Sequence, residues 1–240
     1  MRFAGAALLL LALAACSPNP ASSSPVAQSP LGSGARETNS TTTLAPTTST
    51  LPPTTTTTRV PITDPRIFLM GDSVMAALNP GYTDEAHKAL GAFGWEVTID
   101  AAESRFPTAG IEVLKARRRE MGQVVVIQMS NNYGGDEHQW ARQIDTMFDV
   151  LNGVPEVVFL TVSEFRPDRR EVNAELERAL SRHPNMLLAD WNALGASSPS
   201  FLASDGLHLS PNGAHAMAVL IASEVGIGPD YVPATTTSTA

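Results

Sequence analysis

The chain has 240 residues, 43% of them hydrophobic and 17% charged, with 16 basic against 24 acidic side chains and a formal net charge of −8. A pI near 5.1 argues against nucleic acid as a partner, because phosphate contacts need clustered Lys and Arg. The one cysteine, Cys16, stands outside the apolar middle of the chain. The part that folds is therefore expected to hold no disulfide and no thiolate metal site.

The first segment reads as an address. Arg2 is a short positive region and residues 3–15 are apolar or small, too short for a membrane helix of about 20 residues but suited to a signal peptide. The segment ends Leu13-Ala14-Ala15-Cys16, which resembles the bacterial lipobox. That resemblance implies a signal peptide over 1–15, cleavage before Cys16 and lipidation of its thiol. Two or more acyl chains suffice for a stable anchor, so the chain is expected to be extracytoplasmic and lipid-anchored to the bacterial cell membrane. Residues 16–59 are rich in Ser, Thr and Pro, with runs such as Thr54 to Thr58. Such a stretch cannot form a core and reads as a disordered tether, reaching on the order of 100 Å at ~3.1 Å per residue if extended. Residues 233–240 are a Thr-rich tail of the same kind.

The remaining segment, 60–232, is long enough for one domain with a sizeable core. Its apolar runs alternate with segments of helical period. Strands are expected at 67–70, 96–99, 123–129, 156–162 and 186–189. Helices are expected at 83–93, 109–120, 137–151, 170–182 and 211–224. Continuous runs such as Val124-Val125-Val126-Ile127 suit strands buried on both faces of a parallel sheet. Ser210 and Pro211 fit the N-cap and first position of the last helix. The basic run Lys115, Arg117, Arg118 and Arg119 fits the last turn of the second helix, where cations meet the negative dipole end. The pattern predicts a three-layer α/β/α sandwich on a five-stranded parallel, flavodoxin-like sheet. In such folds ligands bind beyond the carboxyl ends of the strands.

Two short sequences fall at such places. Gly71-Asp72-Ser73-Val74 follows the first strand, so Ser73 sits at a strand-to-helix turn suited to a nucleophile. The same residues also suit a plain helix cap. Asp205-Gly206-Leu207-His208 precedes the last helix, where a carboxylate three residues from an imidazole can orient it as a base. Read alone, it is equally a turn with a surface histidine. Together the two are far less expected by chance.

With both motifs, the segment from Ile67 to about Val225 resembles the SGNH (GDSL) hydrolase superfamily. More narrowly, it is similar to the extracytoplasmic domain of membrane acyltransferases that O-acetylate peptidoglycan. Asp190-Trp191, and Ile99-Asp100-Ala101 followed by Arg105, match segments of that subgroup. The resemblance implies a catalytic triad of Ser73, Asp205 and His208, and an oxyanion hole from the N–H groups of Ser73 and Ser104 with the Asn132 amide. Two departures stand out. Ser104 occupies a usual glycine position, and the Gly-x-Asn block reads Ser130-Asn131-Asn132, so Asn131 replaces Asn132 if the register shifts by one. Losing one oxyanion donor costs about 10²–10³ in rate, which slows an enzyme rather than abolishing it.

Arg105 and Trp191 are candidates for binding substrate at the site's edge. Asp136-Glu137-His138 is better read as a helix start than as a metal site, and no metal or other cofactor is expected. His87 and His183 show no companions in the sequence, and His215, one or two turns into the last helix, reads as a packed or surface residue. The function implied is serine-dependent cleavage or transfer of O-acyl groups, acetyl above all, on cell-envelope glycans. The partners are then an acylated glycan or other ester and the membrane, with a separate membrane acyl donor system if the reaction is a transfer. The protein is expected to act as a monomer. The alternative is a non-catalytic glycan-binding or scaffold lipoprotein on the same fold, motivated by the altered second and third blocks.

Overall fold

Five runs of branched and aliphatic residues form one parallel sheet in the computed structural model, which describes residues 60–229 and 231. The expected signal segment, Cys16, the tether and the tail lie outside the described residues. The strands are β1 (Arg66–Gly71), β2 (Glu96–Ala101), β3 (Val124–Gln128), β4 (Glu156–Leu160) and β5 (Met186–Ala189), in the order β2-β1-β3-β4-β5. The helices are α1 (Ser73–Ala76), α2 (Glu85–Gly91), α3 (Pro107–Arg117), α4 (Glu137–Val150), α5 (Arg169–Leu180), α6 (Trp191–Ala196) and α7 (Pro211–Val225). Among the described residues no helix is long and apolar enough to cross a membrane.

Strand side chains alternate between two cores, as the twofold period of a strand requires. Phe68, Met70, Val125 and Ile127 face one way, against Leu114 of α3, Ile144 of α4 and Leu176 of α5. Ile67, Leu69, Val124 and Val126 face the other way, against Leu90 of α2, Trp191 of α6 and Met217 of α7. Both faces are covered, so β1 and β3 carry no polar alternation, and each fully buried Val, Leu or Ile contributes about 1.5–3 kcal/mol relative to exposure.

Local signals set the helix starts. Asp136 caps α4 by accepting from Gln139 N at 2.8 Å, and Ser210 caps α7 by accepting from Gly213 N at 3.1 Å. Pro107 and Pro211 occupy first-turn positions. The basic run closes α3 and its following 3-10 turn. Arg117 bridges Asp100 and Glu120, and Arg118 donates to the carbonyls of Val150 and Asn152.

The chain runs from β1 to β2 on one side and then returns to β3 on the other, so the switch point of the sheet lies between β1 and β3. The register pairs Gly71 with Ala101 of β2 and with Gln128 of β3. Three strands thus end level, and residues 72–73, 102–105 and 129–132 emerge side by side.

Candidate active site

At the end of β1 the backbone turns sharply into α1. Gly71 is required there, since a Cβ at that position would stand 2.3 Å from the Cβ of Met75. Asp72 follows as the N-cap of α1, accepting from Val74 N at 3.1 Å. It does more than cap, because its side chain is completely buried. Asp72 Oδ2 accepts from Asn131 N at 3.0 Å, and Asn131 Nδ2 donates to Oδ1 at 2.9 Å. Burial pushes the Asp72 carboxyl up to about 6, against the lowering pull of those N–H donors. The carboxyl therefore pins the turn after β3 to the turn after β1.

That contact separates the two asparagines. Asn131 is turned inward onto Asp72, whereas Asn132 lines the cavity at Ser73 and donates from Nδ2 to Arg105 O at 3.2 Å. Asn132 is the one of the pair that faces the cavity.

The two serines that stand where glycine was expected both keep glycine-like backbones. Ser104 has φ 55° and Ser130 has φ 83°, in the left-handed region that costs a non-glycine residue roughly 1–2 kcal/mol. The serine side chain at each position therefore does not exclude the left-handed backbone that a glycine would adopt there.

Arg105 corrects an expectation. Its side chain is only 10% exposed, and the guanidinium turns inward. Nη1 donates to Gly71 O and Asp100 O, and Nη2 to Asp100 Oδ1. Burial would raise the Asp100 carboxyl, but the Arg117 and Arg105 guanidiniums outweigh it and hold it below its usual range. Arg105 is a brace that ties the Ser104 turn to the end of β1, and its charge is spent there rather than on a ligand. Trp191 is likewise fully buried, under α6 with its ring against Gly195, so it offers no surface to substrate. Asp190 caps that helix and accepts from Thr161 Oγ1.

The other half of the site arrives with the turn before α7. Gly206, at φ 70°, lets the chain double back between Asp205 and His208, in a region open to glycine at little cost. Asp205 Oδ1 accepts from Leu207 N at 2.9 Å and His208 N at 3.0 Å, and its Oδ2 lies 2.6 Å from His208 Nδ1. His208 Nε2 lies 3.1 Å from Ser73 Oγ. The hydrogen bond with His208, helped by the two backbone donors, lowers the Asp205 carboxyl to about 2. An ionised carboxylate only accepts, so Nδ1 must carry the proton, leaving Nε2 free to accept from the Ser73 hydroxyl. Such a chain can withdraw the serine proton as the oxygen attacks.

A cavity of about 480 Å³ opens over this chain, lined among others by Ser73, Tyr82, Glu103, Ser104, Asn132 and His208. Three other histidines have acidic partners that the sequence did not reveal. His87 meets Asp84, His183 meets Asp145 while stacking on Phe148, and His215 meets Glu85. Among the described residues no three His, Cys, Asp or Glu side chains cluster as metal ligands would.

No protein-family model matches the chain. Among curated proteins it is similar to the O-acetyltransferase OatA of Staphylococcus aureus, 24% identical over 156 residues, which is 64% of this chain and 24% of that protein. The chain thus spans about a quarter of the length of the curated relatives it matches. Among solved structures it is similar to the C-terminal catalytic domain of Streptococcus pneumoniae peptidoglycan O-acetyltransferase A, which carries a methylsulfonyl adduct. That match has a TM-score of 0.55 and 21% identity, over 68% of this chain and 93% of that one. A family 3 carbohydrate esterase of Clostridium thermocellum matches with a TM-score of 0.54 and 13% identity, over 66% and 93% of the two chains. With the parallel sheet and its flanking helices, these neighbours establish the SGNH hydrolase fold.

Proposed function

We propose that this protein is a serine-dependent esterase or acyltransferase that removes or transfers O-acyl groups, acetyl above all, on cell-envelope glycans. The observation that carries this reading is the unbroken chain Asp205–His208–Ser73, with links of 2.6 and 3.1 Å, at the floor of an open cavity. In the first half-reaction Ser73 Oγ attacks the ester carbonyl while its proton passes to His208 Nε2. The N–H groups of Ser73 and Ser104 and the Asn132 amide receive the developing oxyanion. The tetrahedral adduct collapses, His208 returns the proton to the departing alcohol oxygen, and Ser73 is left as an ester. In the second half-reaction His208 takes a proton from the acceptor, water or a sugar hydroxyl, whose oxygen attacks the acyl carbon. The adduct collapses, the bond to Ser73 Oγ breaks, His208 returns the proton to that oxygen, and the acceptor carries the acyl group away.

The likeness to peptidoglycan O-acetyltransferases and to a carbohydrate esterase supports a glycan as the carrier of the acyl group. The same reading places the protein outside the cytoplasm, held at the membrane through Cys16, and fractionation of the source cells checks that location. A transfer reaction then draws its acyl group from a separate membrane donor.

The test is turnover of p-nitrophenyl acetate by the protein and by its Ser73→Ala and His208→Ala variants. Loss of at least about 10³ in kcat/KM in both variants, with unchanged thermal unfolding, is expected. Equal turnover in all three proteins would sink the serine mechanism. Mass spectrometry of chito-oligosaccharides incubated with the same donor then tells transfer from hydrolysis.

A further inference from the structure

Beside the cavity at Ser73 lies a second hollow of about 210 Å³, and Asn132 lines both. Its walls come from the starts of two helices. Phe106 and Thr108 stand at the start of α3, Gln139 and Gln143 on one face of α4, and Tyr133 between them. Phe106 is the N-cap of α3, and its successor Pro107 takes the buried place beside it. Phe106 is left 56% exposed. Scattered surface hydrophobics need no explanation, but an aromatic ring at the lip of a concave site does. Tyr133 is fixed by contrast. Its hydroxyl donates to Glu171 Oε2 at 3.0 Å and the Arg169 guanidinium lies 5.8 Å from its ring centre.

The polar groups in the hollow narrow the choice of ligand. They are neutral amides, the Thr108 hydroxyl and the Tyr133 hydroxyl already engaged with Glu171, plus one carboxylate, Asp136, and no Lys or Arg lines the space. A phosphate or carboxylate would meet an acid and find no cation, which argues against an anionic ligand. A sugar ring meets both requirements. Its C–H face can lie on the phenyl ring while its hydroxyl and amide substituents exchange hydrogen bonds with Asn132, Thr108, Gln139 and Gln143. The neighbouring cavity has its own exposed ring, Tyr82, whose hydroxyl donates to Glu103 Oε1 at 3.0 Å. Exposed aromatics therefore border both hollows that meet at Asn132.

We propose that the Phe106–Tyr133 hollow is a subsite for a neutral pyranose ring, the neighbour along the glycan of the ring that reacts at Ser73. The proposal rests on the glycan reading given above. It makes the substrate an extended chain of sugars, with Phe106 as the group that senses its length.

Calorimetric titration of the full-length Ser73→Ala protein with N-acetylated chito-oligosaccharides of one, two and four rings tests this without turnover. Affinity is expected to rise with length. Adding Phe106→Ala is expected to weaken the four-ring ligand by about 3–10-fold and to erase the gain from length, whereas Phe106→Trp restores it. Affinity for the four-ring ligand that is untouched by Phe106→Ala, or that does not grow with length, overturns the subsite. So does a Phe106→Ala penalty that tracks acyl chain length in p-nitrophenyl esters, which would assign the hollow to the acyl group. Since the titration needs no chemistry, a protein that binds by length but turns over no ester would keep the subsite and lose the mechanism. The reverse pattern would keep the mechanism alone.

Discussion

The two halves of the site are built on different principles. The half around Ser73 is part of the core: Asp72 is fully buried, Asn131 is fastened to it by side chain and backbone, and Arg105 braces the neighbouring turn from beneath. The half around His208 stands in solvent, with Asp205 and His208 side chains 49% and 46% exposed and joined within one turn. A nucleophile and its oxyanion donors must hold fixed positions relative to each other, and burial supplies that rigidity. A base must rotate its proton between partners, and an exposed hinge with one orienting carboxylate suffices. The two halves should therefore fail differently: damage to the His208 half should cost chemistry alone, and damage to the buried supports of the Ser73 half, Asp72 and Asn131, should cost the fold as well.

The largest effect is expected at Asp205. Asp205→Asn removes the pure acceptor that fixes the His208 tautomer, and a loss of about 10²–10⁴ in kcat is expected, by analogy with other triads. Thermal unfolding should barely move, because both partners are exposed. An unfolding midpoint that fell with activity would break the proposed division.

Next in size is Asp72→Asn. An amide in place of the carboxyl points an NH₂ at one of the Asn131 donors, and a buried mismatch of that kind costs about 1–3 kcal/mol. The pH dependence sharpens the point. Burial raises the Asp72 carboxyl from 3.8 to about 6, so the folded state holds this proton more tightly than the unfolded chain. The stability it contributes is fully present below about pH 4 and is lost as pH rises to about 6. Urea unfolding of the native protein and of Asp72→Asn at pH 4, 5 and 7 should show a difference that narrows with rising pH. A constant difference would mean that Asp72 does not titrate in that window.

The smallest effect is expected at Ser104. Ser104→Gly relieves a left-handed residue at φ 55° but frees the unfolded chain, so a net gain of less than about 1 kcal/mol is expected. Turnover should stay within a few-fold of the native value, since the N–H remains in place. A loss of 10-fold or more would assign the Ser104 hydroxyl a part in the reaction.

The sequence made the layered fold readable because strands buried on both faces and helices buried on one have different periods. β5 fell at 186–189 as expected and α4 began at Glu137 behind its Asp136 cap. The helix after Ser73 was expected at its turn without a range, and the short α6 was missed, since six residues make fewer than two turns and show no repeat of the helical period. Ser73, Asp205 and His208 could be picked out because each sits in a motif next to an element boundary, and the structure brings the three together. What was not readable concerns where long or paired side chains point. An arginine at a strand end can reach outward to a ligand or back to its own sheet, and nothing in the order of residues decides that Arg105 folds back onto Asp100. Asn131 and Asn132 are chemically identical neighbours, and only the buried Asp72 carboxyl separates their roles. Phe106 gave no signal at all, because a lone aromatic before a proline carries no period.

Ser73 and His208 are 135 residues apart in sequence, at opposite ends of the described segment, and the helix that carries the His208 turn into place packs against α2 from the beginning of the segment. Pairings between such distant parts of a chain are slow to form, because the entropy of closing the intervening loop must be overcome first. On the proposed mechanism, a chain still being synthesised, or held unfolded, has the serine without its base and is expected to be inert. On that mechanism the Ser73 hydroxyl gains its base only when the turn before α7 reaches it, so assembly of the far end of the segment sets when the hydroxyl becomes reactive.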